Sequence, residues 1–156
     1  MSQSTTPPVP QATESRFFGG KLIKWSLPAF HPPFGAPSAD IKRLLLPQGE
    51  LAQVHDGREP IRYLACLDLL ANTTRGNHYH GAKREFVYLM RGGYELVAQE
   101  VATGEKIRLP IREGELVLVE PGIAHAMVVT APGVAVEWSP TPFDASDRVS
   151  HDATGG

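Results

Sequence analysis

The chain has 156 residues, enough for one domain and too few for two independent cores. Hydrophobic residues make up 42% and charged residues 21%, which excludes a disordered or fibrous protein. The net charge is −2, and no basic cluster exceeds two residues, so nucleic acid and anionic membrane surfaces are poor partners. Fourteen prolines and fifteen glycines leave little room for long helices. The composition therefore favours an all-β fold.

The N-terminal third of the chain is predicted to be irregular. Residues 1–16 hold almost nothing to bury and are expected to form a disordered tail. They lack the apolar core of a signal peptide, and no apolar run could span a bilayer, so we expect a cytoplasmic protein. Residues 17–53 mix apolar patches with prolines and glycines, which predicts an arm with short strands around the core.

From Arg58 onward, apolar runs alternate with turn signals at a nearly regular spacing, which predicts seven strands. The predicted runs are 61–70, 86–91, 94–101, 105–111, 115–119, 123–130 and 133–139. The expected turns are Gly92-Gly93, Thr103-Gly104, Glu113-Gly114, Pro121-Gly122 and Pro132-Gly133. Short strands without helical periodicity between them fit a sandwich or a small closed barrel. Residues 144–156 are polar and are expected to be a flexible tail.

Candidate functional residues concentrate between positions 75 and 85. In an extended strand His78 and His80 point to the same face, so the two imidazoles could share one metal ion. Glu85 stands where an apolar strand begins, and a buried carboxylate there needs a partner. His125 lies in a second apolar strand. Three imidazoles and one carboxylate predict a divalent transition metal cofactor, namely Zn, Fe, Mn, Ni, Co or Cu.

The other histidines and the single cysteine carry less information. His31, His55 and His151 lie in proline-rich, charged or tail sequence and are interpreted as surface residues. Cys66 is the only cysteine, so neither an internal disulfide nor a thiolate-based structural zinc site is possible within this sequence.

The histidine segment resembles the first cupin motif, G-x5-H-x-H-x4-E-x6-G. His78, His80 and Glu85 occupy its three ligand positions and Gly92 its last glycine, whereas Asn72 stands at the position of its first glycine. The second motif, G-x5-P-x-G-x2-H-x3-N, is matched less fully, with its proline displaced to Pro121 and Val129 in place of the asparagine. The resemblance spans 72–129 and implies a jelly-roll barrel, a double-stranded β-helix, over one cupin domain at 17–143. It also implies that His78, His80, Glu85 and His125 bind the metal.

Closer likenesses point to enzymes of nucleotide-linked sugars. The run 76–85 looks like the cupin domain of capsular-polysaccharide sugar-nucleotide reductases. The runs 75–79 and 121–125 resemble dTDP-4-dehydrorhamnose 3,5-epimerases, and the run 142–147 looks like the tail of dTDP-sugar ketoisomerases. The metal-free epimerases supply a tyrosine acid from the strand that corresponds to 133–139, which has no tyrosine here. The second imidazole, His80, and the carboxylate of Glu85 instead indicate that a metal takes over the electrophilic role.

We accordingly expect a metal-dependent isomerase or epimerase acting on a sugar or sugar nucleotide. Glu85, Glu137 and Lys83 are the candidate catalytic residues, and Arg75, Lys83 and Trp138 are the candidate substrate-binding residues. The alternatives are an iron-dependent cupin oxygenase and a non-enzymatic module that binds a small ligand. The run 86–90 is apolar on both faces, so its outer face needs cover from the N-terminal arm or a second subunit, and we expect a homodimer.

Overall fold

A computed structural model describes residues 9–33 and 39–155 of the chain. These residues form strands and two short 3-10 turns, without an α-helix, as the composition predicts. None of them therefore belongs to a helix that could cross a membrane. The strands are β1 Thr13–Phe17, β2 Leu22–Ser26, β3 Ala29–Phe30, β4 Lys42–Leu46, β5 Gly49–Gln53, β6 Tyr63–Leu69, β7 Thr74–His80, β8 Glu85–Glu100, β9 Lys106–Arg112, β10 Glu115–Val119, β11 Ile123–Ser139 and β12 Arg148–Ser150.

Nine strands form one antiparallel sheet in which β8 and β11 are the longest members and pair with each other. The order along the sheet is β1-β2-β10-β8-β11-β7-β12, with β6 also on β11 and β9 also on β8. The first half of β8 pairs with β10 and its second half pairs with β9, so this one strand connects β10 and β9 within the sheet. A second, three-stranded sheet, β3-β4-β5, belongs to the arm.

Two predicted hairpin turns are instead bends inside these long strands. β8 runs through Gly92-Gly93, and β11 runs through Pro132-Gly133. The two bends meet, since a Cβ on Gly133 would lie 1.8 Å from the carbonyl oxygen of Arg91, and the register shifts there. Glycine is required because the two backbones cross this closely. The three other predicted turns, at 103–104, 113–114 and 121–122, separate the strands as expected.

The strands β8 and β11 separate two apolar clusters. Val87 and Leu89 belong to the cluster inside the barrel, while Phe86 and Tyr88 belong to a second cluster on the outside, as strand alternation predicts. The arm covers this outer cluster through Trp25, Leu27, Ile41, Ala52 and Val54. The arm therefore supplies cover for the apolar outer face of residues 86–90. A homodimer stays a prediction.

Both ends of the domain are more ordered than the sequence suggests. Residues 1–8 of the expected tail lie outside the described residues, but β1 begins at Thr13 and pairs with β2. At the other end, β12 pairs with β7, and Ala153 is fully buried. The segment is held because the Asp147 carboxylate accepts hydrogen bonds from the backbone N–H groups of residues 81–83. Composition alone does not reveal such capping contacts.

Candidate active site

The histidine residues converge because two strands carry them to one place inside the barrel. His78 on β7 is the cross-strand partner of His125 on β11, and a bulge follows His125. Gly76 lies at φ +95°, and a Cβ there would meet the carbonyl oxygen of His125 at 2.7 Å. Glycine thus permits the close approach of β7 to β11. The ring of His78 lies 4.9 Å from the rings of both His80 and His125, measured between centroids.

Glu85, the first residue of β8, lies at the centre of this group and is 4% exposed. One carboxylate oxygen is 3.5 Å from Nε2 of His125. The other is 3.3 Å from Nε2 of His80 and 3.4 Å from Nζ of Lys83. Burial raises the pKa of Glu85, but His125, His80 and Lys83 together hold it well below its usual value. The residue is therefore an ionised carboxylate surrounded by positive or polarisable groups.

Lys83 joins Glu85 to a second carboxylate, Glu137 on β11. Its Nζ donates a 2.7 Å hydrogen bond to Oε1 of Glu137 and lies 4.2 Å from the ring centroid of Tyr63. Burial lowers the pKa of Lys83, but the two carboxylates outweigh it and raise the pKa. The pKa of Glu137 is raised, first by burial and then by the negative charge of Glu85. Of the two carboxylates, Glu137 therefore takes up a proton more readily than Glu85.

The histidines His78 and His125 have opposite electrostatic surroundings. Burial and the charge of His125 lower the pKa of His78 to about 4, so this imidazole is neutral at neutral pH. Burial also lowers the pKa of His125, but the contact with Glu85 outweighs it and raises the pKa. Nδ1 of His78 is buried without a hydrogen-bond partner in the described part of the chain. The imidazole of His78 is therefore a neutral group within the site.

Asp147 of the C-terminal segment positions the loop that carries Lys83. Its carboxylate accepts hydrogen bonds from the N–H groups of Gly81, Ala82 and Lys83 at 2.8–3.0 Å. Its Oδ2 also lies 3.4 Å from Nδ1 of His80. The segment expected to be a flexible tail therefore holds both the strand end and the loop of the site.

The charged groups open into a cavity of about 340 Å³ in the barrel mouth. Its walls are Leu67, Arg75, Gly76, His78, Glu85, His125, Met127, Glu137 and Arg148. A smaller cavity of about 140 Å³ shares His78, Glu85, Glu137 and Arg148 with it and adds Tyr63, His80, Lys83 and Phe143. Arg75 and Arg148 are exposed, and neither forms an ion pair with the described residues. They supply two free guanidinium groups at the opening.

The predicted site residues do not all lie together. Glu85, Lys83 and Glu137 are in contact, and Arg75 lines the larger cavity. Trp138, expected to bind substrate, lies on the outer face of β11, because neighbouring strand residues point in opposite directions and Glu137 points inward. Trp138 therefore faces away from the histidine residues.

Tyr63 and Arg148 line the site but are absent from the sequence-based prediction. Tyr63 belongs to β6, which the sequence predicts as a strand. The alternation of polar and apolar residues along β6 was the sequence feature that could have indicated which of its side chains face inward. Arg148 belongs to the segment interpreted as a tail. The Asp144 side chain accepts a hydrogen bond from the Ser146 N–H, a capping pattern that marks an ordered turn in the sequence.

Comparison with known proteins places the fold. No protein-family model matches the sequence, and no curated protein does. The dTDP-4-dehydrorhamnose 3,5-epimerase of Sulfolobus tokodaii is similar in structure, with a TM-score of 0.69, 13% identity and coverage of 89% of this chain and 81% of that one. The dTDP-6-deoxy-D-glucose-3,5-epimerase of Legionella pneumophila has a TM-score of 0.67 and 11% identity, and the match covers 89% of this chain and 77% of that one. The TDP-quinovose 3,4-ketoisomerase of Campylobacter jejuni has a TM-score of 0.62 and 11% identity, and the match covers 72% of this chain and 89% of that one.

These similarities establish the fold as the jelly-roll barrel of cupin type that the motifs implied. They also contradict the predicted divalent transition metal cofactor. The similar structures include 3,5-epimerases, which are enzymes that act without a metal. Candidate ligand atoms of His78, Glu85 and His125 do lie within 4.8 Å of one another. However, the Lys83 ammonium already stands beside Glu85, which places a competing positive charge at the carboxylate. The same residue pattern that predicts a metal site here forms an ion-pair network.

Proposed function

We propose that this protein is a metal-free epimerase or ketoisomerase that acts on a nucleotide-linked keto sugar. The observation that carries the proposal is the neutral imidazole of His78, which lines the cavity next to the Lys83–Glu137 ion pair. A neutral base, a cation and a carboxyl group with a raised pKa can together remove and return a proton at the carbon next to a ketone. The iron-dependent oxygenase is not proposed, since it needs the metal.

His78 is the proposed general base. It removes the proton from the carbon next to the ketone, and the electron pair of that C–H bond forms the enolate. The negative charge that develops on the enolate oxygen is stabilised by the ammonium group of Lys83. Lys83 is suited to this role because it is held between Glu85 and Glu137 before substrate binds. No reorganisation is then needed during the reaction.

Glu137 is the proposed general acid. Burial and the charge of Glu85 raise its pKa, so Glu137 takes up a proton more readily than Glu85 does, and it lines the same cavity as His78. Return of a proton to the opposite face of the same carbon gives the epimer. In a ketoisomerase reaction the former carbonyl carbon gains the proton instead, while the hydroxyl group on the neighbouring carbon loses its proton and becomes the new ketone. The Tyr63 hydroxyl is a second proton donor on the side of the smaller cavity, since Tyr63 stands there beside Lys83. It provides a tyrosine from β6 where residues 133–139 have none.

Arg75 and Arg148 are proposed to bind the diphosphate of the substrate. Both are exposed at the rim of the cavity, where a guanidinium group can form two parallel hydrogen bonds with a phosphate. Among the similar structures, the Legionella dTDP-6-deoxy-D-glucose-3,5-epimerase is in complex with dTDP-4-keto-L-rhamnose. That similarity supports a nucleotide-linked sugar for this chain.

Deuterium exchange tests the proposal directly. The chelator-treated protein is incubated in heavy water with a panel of nucleotide-linked 4-keto sugars, and deuterium at the carbons next to the ketone is followed by NMR. We expect exchange with at least one sugar, without added metal, and its loss in His78→Asn. Binding of sugars without exchange would instead support a ligand-binding module. Exchange that appears only after metal is restored would contradict the metal-free mechanism.

A further inference from the structure

The strand β6 forms an edge of the large sheet. It pairs with β11 on one side, and no other described strand pairs with it. In an antiparallel strand the backbone groups of alternate residues point to opposite sides, so about half of the N–H and C=O groups of β6 point away from β11. Apart from the ladder with β11, no backbone hydrogen bond joins residues 63–69 to a described part of the chain. The outer edge of β6 is therefore free to pair with another strand.

The outer face of this edge is apolar and exposed. Leu64 is 63% exposed, and Cys66, two residues further along the same face, is also exposed. Val136 stands opposite Cys66 on β11, and Val134, 41% exposed, continues the same surface. The arm covers Trp138, the partner of Leu64, but leaves Leu64 itself open. A contiguous apolar surface beside a free strand edge favours contact with another protein chain.

The two ends of this face carry opposite charges. Arg62 stands immediately before β6 and Asp68 stands near its end, and both side chains are exposed. The Arg62 N–H donates a hydrogen bond to the carbonyl oxygen of Ser139, so residue 62 still belongs to the edge. Neither Arg62 nor Asp68 forms an ion pair with a described residue. The outward residues are, in order, Arg62, Leu64, Cys66 and Asp68.

This order is complementary to itself when it is read in the opposite direction. If two copies of β6 run antiparallel about a twofold axis through Ala65, Arg62 faces Asp68 of the partner subunit and Leu64 faces Cys66 of the partner subunit. Symmetry repeats both contacts. An axis through Leu64 or through Cys66 would leave both charges opposite uncharged residues. Charge complementarity therefore selects a second copy of this chain, and it selects one register.

We propose that the free edge of β6 binds the β6 edge of a second copy of this chain, with the twofold axis at Ala65. The antiparallel sheet of one protomer then continues into that of its partner. On the inner face, Tyr63 stands opposite Leu67 of the partner subunit, so the walls of the two sites adjoin. This surface differs from the outer face of residues 86–90, which the arm covers. The proposal is independent of the proposed reaction, because it rests only on the edge strand.

Reversal of the two charges tests the interface. Arg62→Asp and Asp68→Arg each place like charges opposite each other twice, so each variant should raise the dissociation constant of the dimer at least about tenfold. An equal mixture of the two variants should form dimers again, because opposite charges then meet at both ends. Sedimentation equilibrium measures the mass against that of one chain, 17.0 kDa. The matched control is Glu105→Arg, an exposed position in the turn before β9, which should leave the dissociation constant unchanged.

A disulfide test determines the register. Leu64→Cys places a thiol opposite Cys66 of the partner subunit, where the Cα atoms of facing residues are about 4.5–5.5 Å apart and a disulfide can form. We expect a covalent dimer on a non-reducing gel after mild oxidation. The wild-type chain and Leu64→Cys combined with Cys66→Ser should not be cross-linked, because thiols at the same position then lie on a diagonal with Cα atoms more than about 7 Å apart.

Three results would overturn the proposal. The first is a wild-type protein that stays monomeric at micromolar concentration, which needs no variant and therefore does not depend on the folding of one. The second is a mixture of Arg62→Asp and Asp68→Arg that associates no better than either variant alone. The third is a covalent dimer of the oxidised wild-type chain, because it would place the two copies of Cys66 opposite each other and the axis away from Ala65.

Discussion

On the paired strands β8 and β11, the carboxylates Glu85 and Glu137 face the site, and the residue that follows each of them is an aromatic ring on the outer face. Glu85 and Glu137 face the histidine residues and Lys83, whereas Phe86 and Trp138 stack under the arm. The two faces are one residue apart in sequence, yet one carries a connected network of charges and the other an apolar cluster. Strand alternation alone produces this separation, so substitutions on the two faces should have separable effects.

The largest expected effect is on catalysis and comes from the inner face. His78→Asn removes the proposed base, so deuterium exchange into a 4-keto sugar should slow by about 10² to 10⁴-fold, the usual contribution of general base catalysis. Trp138→Phe on the outer face keeps an aromatic ring and should leave the exchange rate within about twofold. Equal losses in both variants would show that the two faces are not separable. The exchange assay described above measures both.

The second effect concerns stability and tests the ion-pair network. Lys83→Met removes a buried cation and leaves Glu85 and Glu137 facing each other, so unfolding should become easier by about 3 kcal/mol in urea denaturation. The matched control is Arg108→Met, which removes an exposed ion pair with Glu95 and should cost less than about 1 kcal/mol. A Lys83 variant as stable as the control would mean that the network contributes function without stability.

The inner network also predicts a dependence of stability on pH. The pKa of His78 falls from 6.5 to about 4 on folding, chiefly through burial, so between these pH values the unfolded chain binds the proton and the folded chain does not. Stability therefore falls as the pH drops from about 6.5 to 4, by up to about 3 kcal/mol. Thermal melts across this range should show a shallower dependence in His78→Asn. An unchanged slope would show that this imidazole titrates normally.

Much of the fold could be predicted because the turn residues punctuate the strands. The turns at Thr103-Gly104 and Pro121-Gly122 are where the sequence indicates them. The hairpin turns predicted at Gly92-Gly93 and Pro132-Gly133 were wrong. Glycine is needed where two backbones cross closely as well as in a hairpin turn, and local sequence does not distinguish the two. The end of the chain was underestimated for a related reason, since Asp147 acts through contacts with residues more than sixty positions away.

The convergence of the site was predictable, but its chemistry was not. Alternation along β7 and the apolar setting of Glu85 and His125 indicated that these side chains share one place. Whether they hold an ion or form ion pairs depends on Lys83, whose position beside Glu85 is a tertiary contact. The orientation of Glu137 and Trp138 was likewise open, because alternation says only that one faces in and the other out.

The smallest expected effect compares two buried tyrosines of β8, one on each face. Tyr88 on the outside donates a 2.8 Å hydrogen bond to Glu50 of the arm, which Arg43 also binds. Tyr94 lies in the inner cluster, and its buried hydroxyl has no partner among the described residues. Tyr88→Phe should therefore cost about 1.5 kcal/mol, because a hydrogen bond to a charged group is lost.

Tyr94→Phe removes a hydroxyl group whose burial is not compensated, so it should be neutral or stabilising by up to about 1 kcal/mol. Both substitutions delete the same atom from a residue that is 2% exposed, which makes each the control for the other. Urea denaturation measures the difference, and the exchange rate should stay unchanged in Tyr88→Phe. Equal destabilisation by the two substitutions would indicate that Tyr94 has an acceptor inside the barrel, such as an ordered water, and that the inner face is polar to a greater depth than the ion-pair network.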